Sequence, residues 1–127
     1  MRERIVILSD LQIPYQSDQN LKAIYSFIKQ YRPTQLWCVG DELDAPEPSR
    51  WNKGMEGEYA ATLQDSIDLT HEIMSRFRQV LGRSKPFIIQ RSNHTDRIET
   101  YVRKYAPAFA PLRNLKVENL LGYPSLG

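Results

Sequence analysis

The sequence has one cysteine, two histidines, little net charge and no long apolar run. Because Cys38 is the only cysteine, an intrachain disulfide is excluded, and a reducing compartment is favoured. Cys38 lies within an apolar run, so we expect it to be buried. The formal net charge of +2 is too small to indicate nucleic-acid or membrane binding by itself. No stretch reaches the roughly 18 apolar residues of a membrane span, and no signal peptide is evident. We therefore expect a cytoplasmic protein.

The length and composition indicate one soluble domain over residues 1–127. A chain of this size buries roughly two-thirds of the surface that it exposes when unfolded. Its apolar and charged fractions are ordinary for a globular protein. The sequence contains no internal repeat and no low-complexity tract.

Three short apolar runs predict the strands of an α/β fold, at residues 4–9, 35–39 and 86–90. The first is continuously apolar rather than alternating, which is typical of a strand with both sheet faces covered. Helices are predicted between the strands, and the strand–helix–strand order favours parallel pairing with right-handed crossovers. Three strands make a small sheet with exposed edges, so the domain looks incomplete.

The predicted helices have recognisable ends. The first covers residues 19–31 with Asp18 as its N-cap, and its apolar residues share one face. The second covers residues 56–81, with Gly82 just beyond its end and His71 in a surface or helix-face role. A third, short helix reaches about Tyr105, with Asp96 as its cap. The loop at residues 44–55 carries Trp51, for which loop packing is favoured over a place in a substrate cleft.

Polar residues with metal-binding side chains follow each predicted strand. Asp10 and Gln12 follow the first, Asp41 and Asp44 the second, and the pair Asn93-His94 the third; the carboxyl ends of parallel strands lie at one edge of a sheet, where ligands collect. The sequence therefore predicts a metal site at this edge.

The ordered motifs Asp-x-Gln, Gly-Asp-x-x-Asp and Asn-His resemble those of the calcineurin-like metallophosphoesterases, most closely the small forms that bacteriophages encode. The resemblance covers residues 5–96 and implies a partial sheet of that family's type with flanking helices, without the C-terminal half of the family fold. It implies two divalent metal ions (Mn, Fe, Mg or Zn), with Asp41 bridging them, Asp10 on the first and Asn93 on the second. Gln12 is either a weak metal ligand or a residue that only occupies the space of a lost histidine ligand. A phage-encoded member would act in the host cytoplasm.

The same resemblance assigns roles around the metals. His94 matches the family histidine that contacts the phosphoryl oxygen or protonates the leaving group. Arg91 and Arg97 flank it and could complement the charge of phosphate. Asp44 is expected to support the site from behind or to cap its loop. The implied reaction is hydrolysis of a phosphomonoester or phosphodiester, nucleic acid not being excluded as substrate.

Several residues depart from the family pattern. Gln12 replaces a histidine, Ser92 a glycine and Thr95 an acidic residue, and no histidine follows His94 although the family has two further histidine motifs downstream. One alternative is a catalytically inactive phage-type protein that binds a protein partner, or an oligomer that completes its sheet. Another is that the chain is a fragment whose remaining motifs lie further along the gene.

Overall fold

The centre of the protein is a three-stranded parallel sheet, seen in a computed structural model that describes residues 2–45 and 63–127. Strands β1 (Ile5–Leu8), β2 (Gln35–Cys38) and β3 (Phe87–Ile89) lie in the order β1-β2-β3. Leu8 pairs with Cys38 and Cys38 with Ile89, so the three carboxyl ends are level. The α/β prediction is thus confirmed.

Two helices pack on one face of the sheet, α1 (Asp18–Tyr31) and α2 (Leu63–Leu81). Tyr25 of α1 meets Phe77 of α2 with ring centroids 4.7 Å apart. Cys38 is buried in this core, as predicted. The buried apolar residues of this main core are Ile13, Leu21, Ile28, Leu36, Cys38, Ile73, Met74, Phe77 and Leu81.

The opposite face of the sheet is open over much of its area in the part of the chain that the structure describes. Val6 and Leu8 pack toward the main core, whereas Ile7 between them is 59% exposed. Ile88 on β3 is 48% exposed on the same side as Ile7. The expectation that both faces of β1 are covered is therefore wrong for the described part of the chain, because α1 and α2 both pack on the same face.

The N-cap of α1 is Ser17, so the prediction of Asp18 was wrong by one residue. Ser17 Oγ accepts a hydrogen bond from the Asn20 backbone N–H at 3.2 Å. Serine and aspartate are about equally good caps, and the extended backbone of Ser17 decides between them. Asp18 instead occupies the first turn of α1, where its negative charge interacts favourably with the positive end of the helix dipole.

Helix α3 (Asn93–Tyr105) starts earlier than predicted, with Ser92 rather than Asp96 as its N-cap. Ser92 Oγ accepts from the Thr95 backbone N–H, and Thr95 Oγ1 accepts from the Ser92 backbone N–H at 2.9 Å. This reciprocal capping box satisfies two donors at the helix start. Asn93 and His94 therefore lie in the first turn of a helix.

The remainder of the chain forms short helical turns around a second, smaller core. After α3 come 3₁₀ turns at Pro107–Phe109 and Arg113–Leu115, the helix α4 (Val117–Leu120) and a 3₁₀ turn at Tyr123–Leu126. Residues 115–121 are thus mostly helical. The second core comprises Leu43, Ala45, Ile67, Ile98, Val117 and Leu121.

Two side chains of α2 hold the end of the chain in place. His71 Nδ1 lies 2.8 Å from the Leu121 carbonyl oxygen, which is a helix-face role. The guanidinium of Arg78 donates to the carbonyl of Lys85 at 2.6 Å and to that of Gly127 at 3.4 Å. Gly82 follows α2 with φ +99°, in agreement with its prediction beyond the helix end.

Some predictions lie outside the described residues. These are most of the loop at 44–55, including Trp51, and the part of the helix at 56–81 that precedes Leu63. Across the two described ranges, no helix is both long and apolar enough to cross a membrane.

Candidate metal centre

The loops after β1 and β2 continue to pair beyond the sheet, which brings the first two motifs together. The Asp10 backbone N–H donates to the Gly40 carbonyl at 3.3 Å, and that of Gln12 donates to the Asp41 carbonyl at 2.9 Å. Asp10, Gln12 and Asp41 all have positive φ, between 51° and 57°. Non-glycine residues adopt this conformation rarely, and such residues concentrate at functional sites.

Ser92 attaches the third motif to the second. Its Oγ accepts a hydrogen bond from the Asp41 backbone N–H at 3.0 Å while it also caps α3. Gly40 has φ +109°, and a Cβ there would lie 2.8 Å from Ser92 Cβ, so glycine is required for this approach. The three motif segments therefore meet at one edge of the sheet, as the sequence predicts.

One oxygen of the Asp41 carboxylate has no hydrogen-bond donor among the described residues. This oxygen, Oδ1, is buried. A buried acceptor left unpaired costs about 1–3 kcal/mol. A bound cation would remove that cost.

His94 is oriented by Asp44, the last residue of the second motif. His94 Nδ1 lies 3.1 Å from the Asp44 carbonyl oxygen and 3.3 Å from its Oδ1. Both oxygens are acceptors, so Nδ1 carries the proton and Nε2 is the nitrogen left for other partners. Arg97 Nη1 donates to the same Asp44 carbonyl at 2.7 Å. Asp44 thus positions the side chains of both His94 and Arg97.

Arg91 is held within a cluster of carboxylates. Its Nε atom lies 2.9 Å from Asp96 Oδ1, its Nη2 pairs with Glu99, and its Nη1 lies 3.8 Å from Glu118. These ion pairs attach α4 to α3. A contact between Arg91 and phosphate stays a prediction.

A buried pair beside the site was not identified from the sequence. Glu42 is 1% exposed, and its Oε1 accepts a hydrogen bond from the Tyr123 hydroxyl at 2.6 Å. Burial raises the pKa of Glu42 above its usual value, and burial together with Glu42 raises the pKa of Tyr123. Burial, followed by the nearby charge of Glu42, raises the pKa of Cys38 to about 12. Glu42 and Tyr123 are 81 residues apart in sequence, so no local pattern indicates that they form a pair.

The oxygen donors at this edge are compatible with a divalent cation. They are the carboxylates of Asp10 and Asp41 and the amide oxygens of Gln12 and Asn93, and hard oxygen ligands suit Mg²⁺ and Mn²⁺. Within residues 2–45 and 63–127, no group of three or more histidine, cysteine, aspartate or glutamate side chains is placed to hold a metal ion. Two carboxylates and two amides fit one cation that keeps several water ligands better than they fit a pair.

Comparison with known proteins identifies relatives in mycobacteriophages. The "Gene 54 protein" of Mycobacterium phage D29 is 36% identical to this chain over 129 residues, and that of Mycobacterium phage L5 is 33% identical. Each alignment includes all of this chain but half of the relative, so the chain spans about half the length of the curated relatives it matches. No family model and no solved structure matches the sequence.

Proposed function

We propose that this protein belongs to the calcineurin-like metallophosphoesterases and hydrolyses a phosphomonoester or phosphodiester with the help of a divalent cation. The observation that carries the proposal is the buried Oδ1 of Asp41, which accepts no hydrogen bond from the described residues and lies where the three motif segments meet. The sheet would be the first part of that family's fold. The phage relatives and the free, buried Cys38 support action in the host cytoplasm.

Asp10, Asp41 and Asn93 would hold the cation, with Gln12 as a further oxygen donor. The resemblance implies a second ion that shares Asp41, but the two carboxylates and two amides fit a single cation better; Mn, Fe, Mg or Zn are the candidate metals. When bound, such an ion makes a water molecule more acidic and neutralises charge on the phosphoryl oxygens. The protein's own contribution is a rigid arrangement, because backbone hydrogen bonds join the Asp10 and Asp41 segments and the Ser92 hydroxyl accepts from the Asp41 backbone N–H.

His94 would transfer a proton to the leaving group. Its Nδ1–H is engaged by Asp44, so Nε2 is the atom that can hold the transferred proton. Imidazole donates and accepts protons near neutral pH, which suits it to this task. Arg97 uses one nitrogen for Asp44 and retains other N–H groups for phosphate oxygens.

Metal binding and turnover test the proposal together. We expect calorimetry to detect Mn²⁺ or Mg²⁺ binding, and we expect bis-nitrophenyl phosphate to be hydrolysed in the presence of the same ion. Asp41→Asn should weaken metal binding by at least about tenfold, because the amide lacks the charge of the carboxylate. Asp68→Asn is the matched control, since Asp68 is an exposed carboxylate of α2 that accepts from Gln64.

A folded wild-type protein that binds neither ion and hydrolyses no phosphoester would contradict the proposal. The role of His94 has its own test. His94→Gln should slow hydrolysis of alkyl phosphates by about 10²- to 10⁴-fold, but it should affect nitrophenyl esters much less because their leaving group needs no proton. An equal loss on both substrate types would remove the acid role from His94.

The second candidate function is binding of a protein partner without catalysis. Gln12 in place of a histidine favours it, as do the unpaired outer edges of β1 and β3 in the described sheet. Light scattering of the protein alone and with phage or host extracts would detect such a partner. A metal-free monomer that acquires no partner would argue against this alternative.

A further inference from the structure

The side of the sheet away from α1 and α2 carries exposed apolar side chains in the described part of the chain. We call it the open sheet face and define it by Ile5, Ile7, Trp37, Val39 and Ile88. The register places Ile7 beside Trp37 and Trp37 beside Ile88, so these side chains form one continuous apolar row. Ile7, Val39 and Ile88 are 59%, 41% and 48% exposed.

An exposed apolar row of this kind is unusual for a sheet that has one solvent-exposed face in the folded protein. Such sheets alternate apolar residues with polar ones, whereas β1 reads Ile-Val-Ile-Leu without a polar residue. Continuous apolar runs are typical of parallel strands that are covered on both sides. Contiguous apolar patches on a surface commonly mark an interface. The open sheet face is therefore built to be covered.

The size of the surface limits what can cover it. Three strands about 4.8 Å apart and four residues long at about 3.3 Å each present a face of roughly 200 Å². A stable complex between separate proteins buries about 800 Å² on each partner. A second copy of this chain docked face to face would fall well short of that. A segment of the same polypeptide needs less area, because tethering replaces the entropy cost of association by a high effective concentration.

The relatives contain such a segment. The phage D29 and L5 proteins are twice as long as the region that this chain matches. We propose that the open sheet face is the docking surface for the polypeptide that corresponds to the unmatched half of these Gene 54 proteins. The occupant presents an apolar layer about 10 Å above the sheet and packs side chains against Ile7, Trp37 and Ile88. This proposal does not depend on phosphoester hydrolysis.

Thiol labelling measures the covering directly. This chain is joined to the unmatched half of the phage D29 protein, in the order found in that protein, and is compared with the chain alone. Cysteine is introduced by Ile7→Cys or Ile88→Cys, and alkylation of each peptide is timed by mass spectrometry. Phe27→Cys is the control, because Phe27 is 52% exposed on α1, away from the open sheet face.

We expect the fused half to slow alkylation at positions 7 and 88 by at least tenfold and to leave position 27 unchanged within twofold. Equal rates in the two proteins would overturn the proposal. Protection that already occurs in the chain alone and rises with its concentration would also overturn it, because the occupant would then be a second copy.

A stability measurement supplies an independent check. Ile7→Lys should lower the melting temperature of the fusion by several degrees more than that of the chain alone, since only the fusion would bury the charge. Phe27→Lys should shift both proteins equally. A shift from Ile7→Lys that is the same in both proteins would contradict a covered face.

Discussion

Replacing Ser92 with alanine should destabilise the protein and loosen the candidate metal centre at the same time. Ser92 Oγ accepts from two backbone donors that belong to different elements. One is the Thr95 N–H in the first turn of α3, and the other is the Asp41 N–H at 3.0 Å, in the loop after β2. Both bonds are lost in the variant, whereas the fold keeps every apolar contact of the main core.

The magnitude follows from these two bonds. Loss of a serine N-cap costs about 1 kcal/mol. The Asp41 N–H is half-buried, so the loss of its acceptor adds about 1 kcal/mol, the net value of an ordinary hydrogen bond. We therefore expect Ser92→Ala to lower the free energy of unfolding by about 2 kcal/mol.

Ser17→Ala is the matched control. Ser17 caps α1 through a single bond to the Asn20 N–H at 3.2 Å, and it makes no bond to the second or third motif. Its removal should cost only the cap, about 1 kcal/mol. Urea titration followed by circular dichroism gives both values, and Mn²⁺ calorimetry shows whether the Ser92 variant alone loses metal affinity.

Equal losses of stability in the two variants would refute the reasoning. They would mean that the bond between Ser92 and Asp41 contributes nothing. A Ser92 variant that keeps full metal affinity would separate the capping role of Ser92 from the alignment of Asp41.

Three further predictions follow from the same region. Gly40→Ala should cost at least 1 kcal/mol more in the wild type than in a Ser92→Gly background, because the Cβ clash at 2.8 Å disappears there; equal costs in urea titrations would contradict the clash. Tyr123→Phe should cost about 2 kcal/mol by unpairing buried Glu42, and less in a Glu42→Leu background. Because burial raises the pKa of Cys38 to about 12, its thiol should react with a disulfide reagent at pH 8 roughly a thousandfold more slowly in the native than in the unfolded protein. The unfolded thiol ionises first, so stability should fall as the pH rises above about 8.5, and the fall between about pH 8.5 and 10 should be smaller in Cys38→Ala.

The strands, and the positions of the first two motifs at the strand ends, could be predicted because the sequence patterns that indicate them are local. Ile5–Leu8 and Gln35–Cys38 are short apolar runs that stop at polar residues, and parallel pairing then places Asp10 and Asp41 at one edge. The helix starts were less predictable. Ser17 and Asp18 are both good caps, and the choice depends on the backbone that the preceding loop adopts.

The hydrogen bond that Ser92 Oγ accepts from the Asp41 backbone N–H could not be predicted. The place of Ser92 before Asn93 suggests a departure from a family motif, and only the folded chain shows that the hydroxyl reaches Asp41, 51 residues earlier. Glu42 is similar. It lies between two motif aspartates as an unremarkable acidic residue, and its burial depends on Tyr123, near the other end of the chain.

The sequence by itself determined the α/β architecture, the parallel pairing of the strands and the edge at which the motif residues meet, because apolar runs and the polar residues that end them involve only a few neighbouring residues. Only the tertiary structure decided that Asp44 orients His94, that one side of the sheet is open in the described part of the chain, and that Asp41 Oδ1 is buried there without a hydrogen bond from the described residues. Those features depend on which surfaces the helices cover and on contacts between residues far apart in the chain. The physical reason is that burial and hydrogen bonding are properties of the packed chain, whereas strand and helix formation begin with local preference.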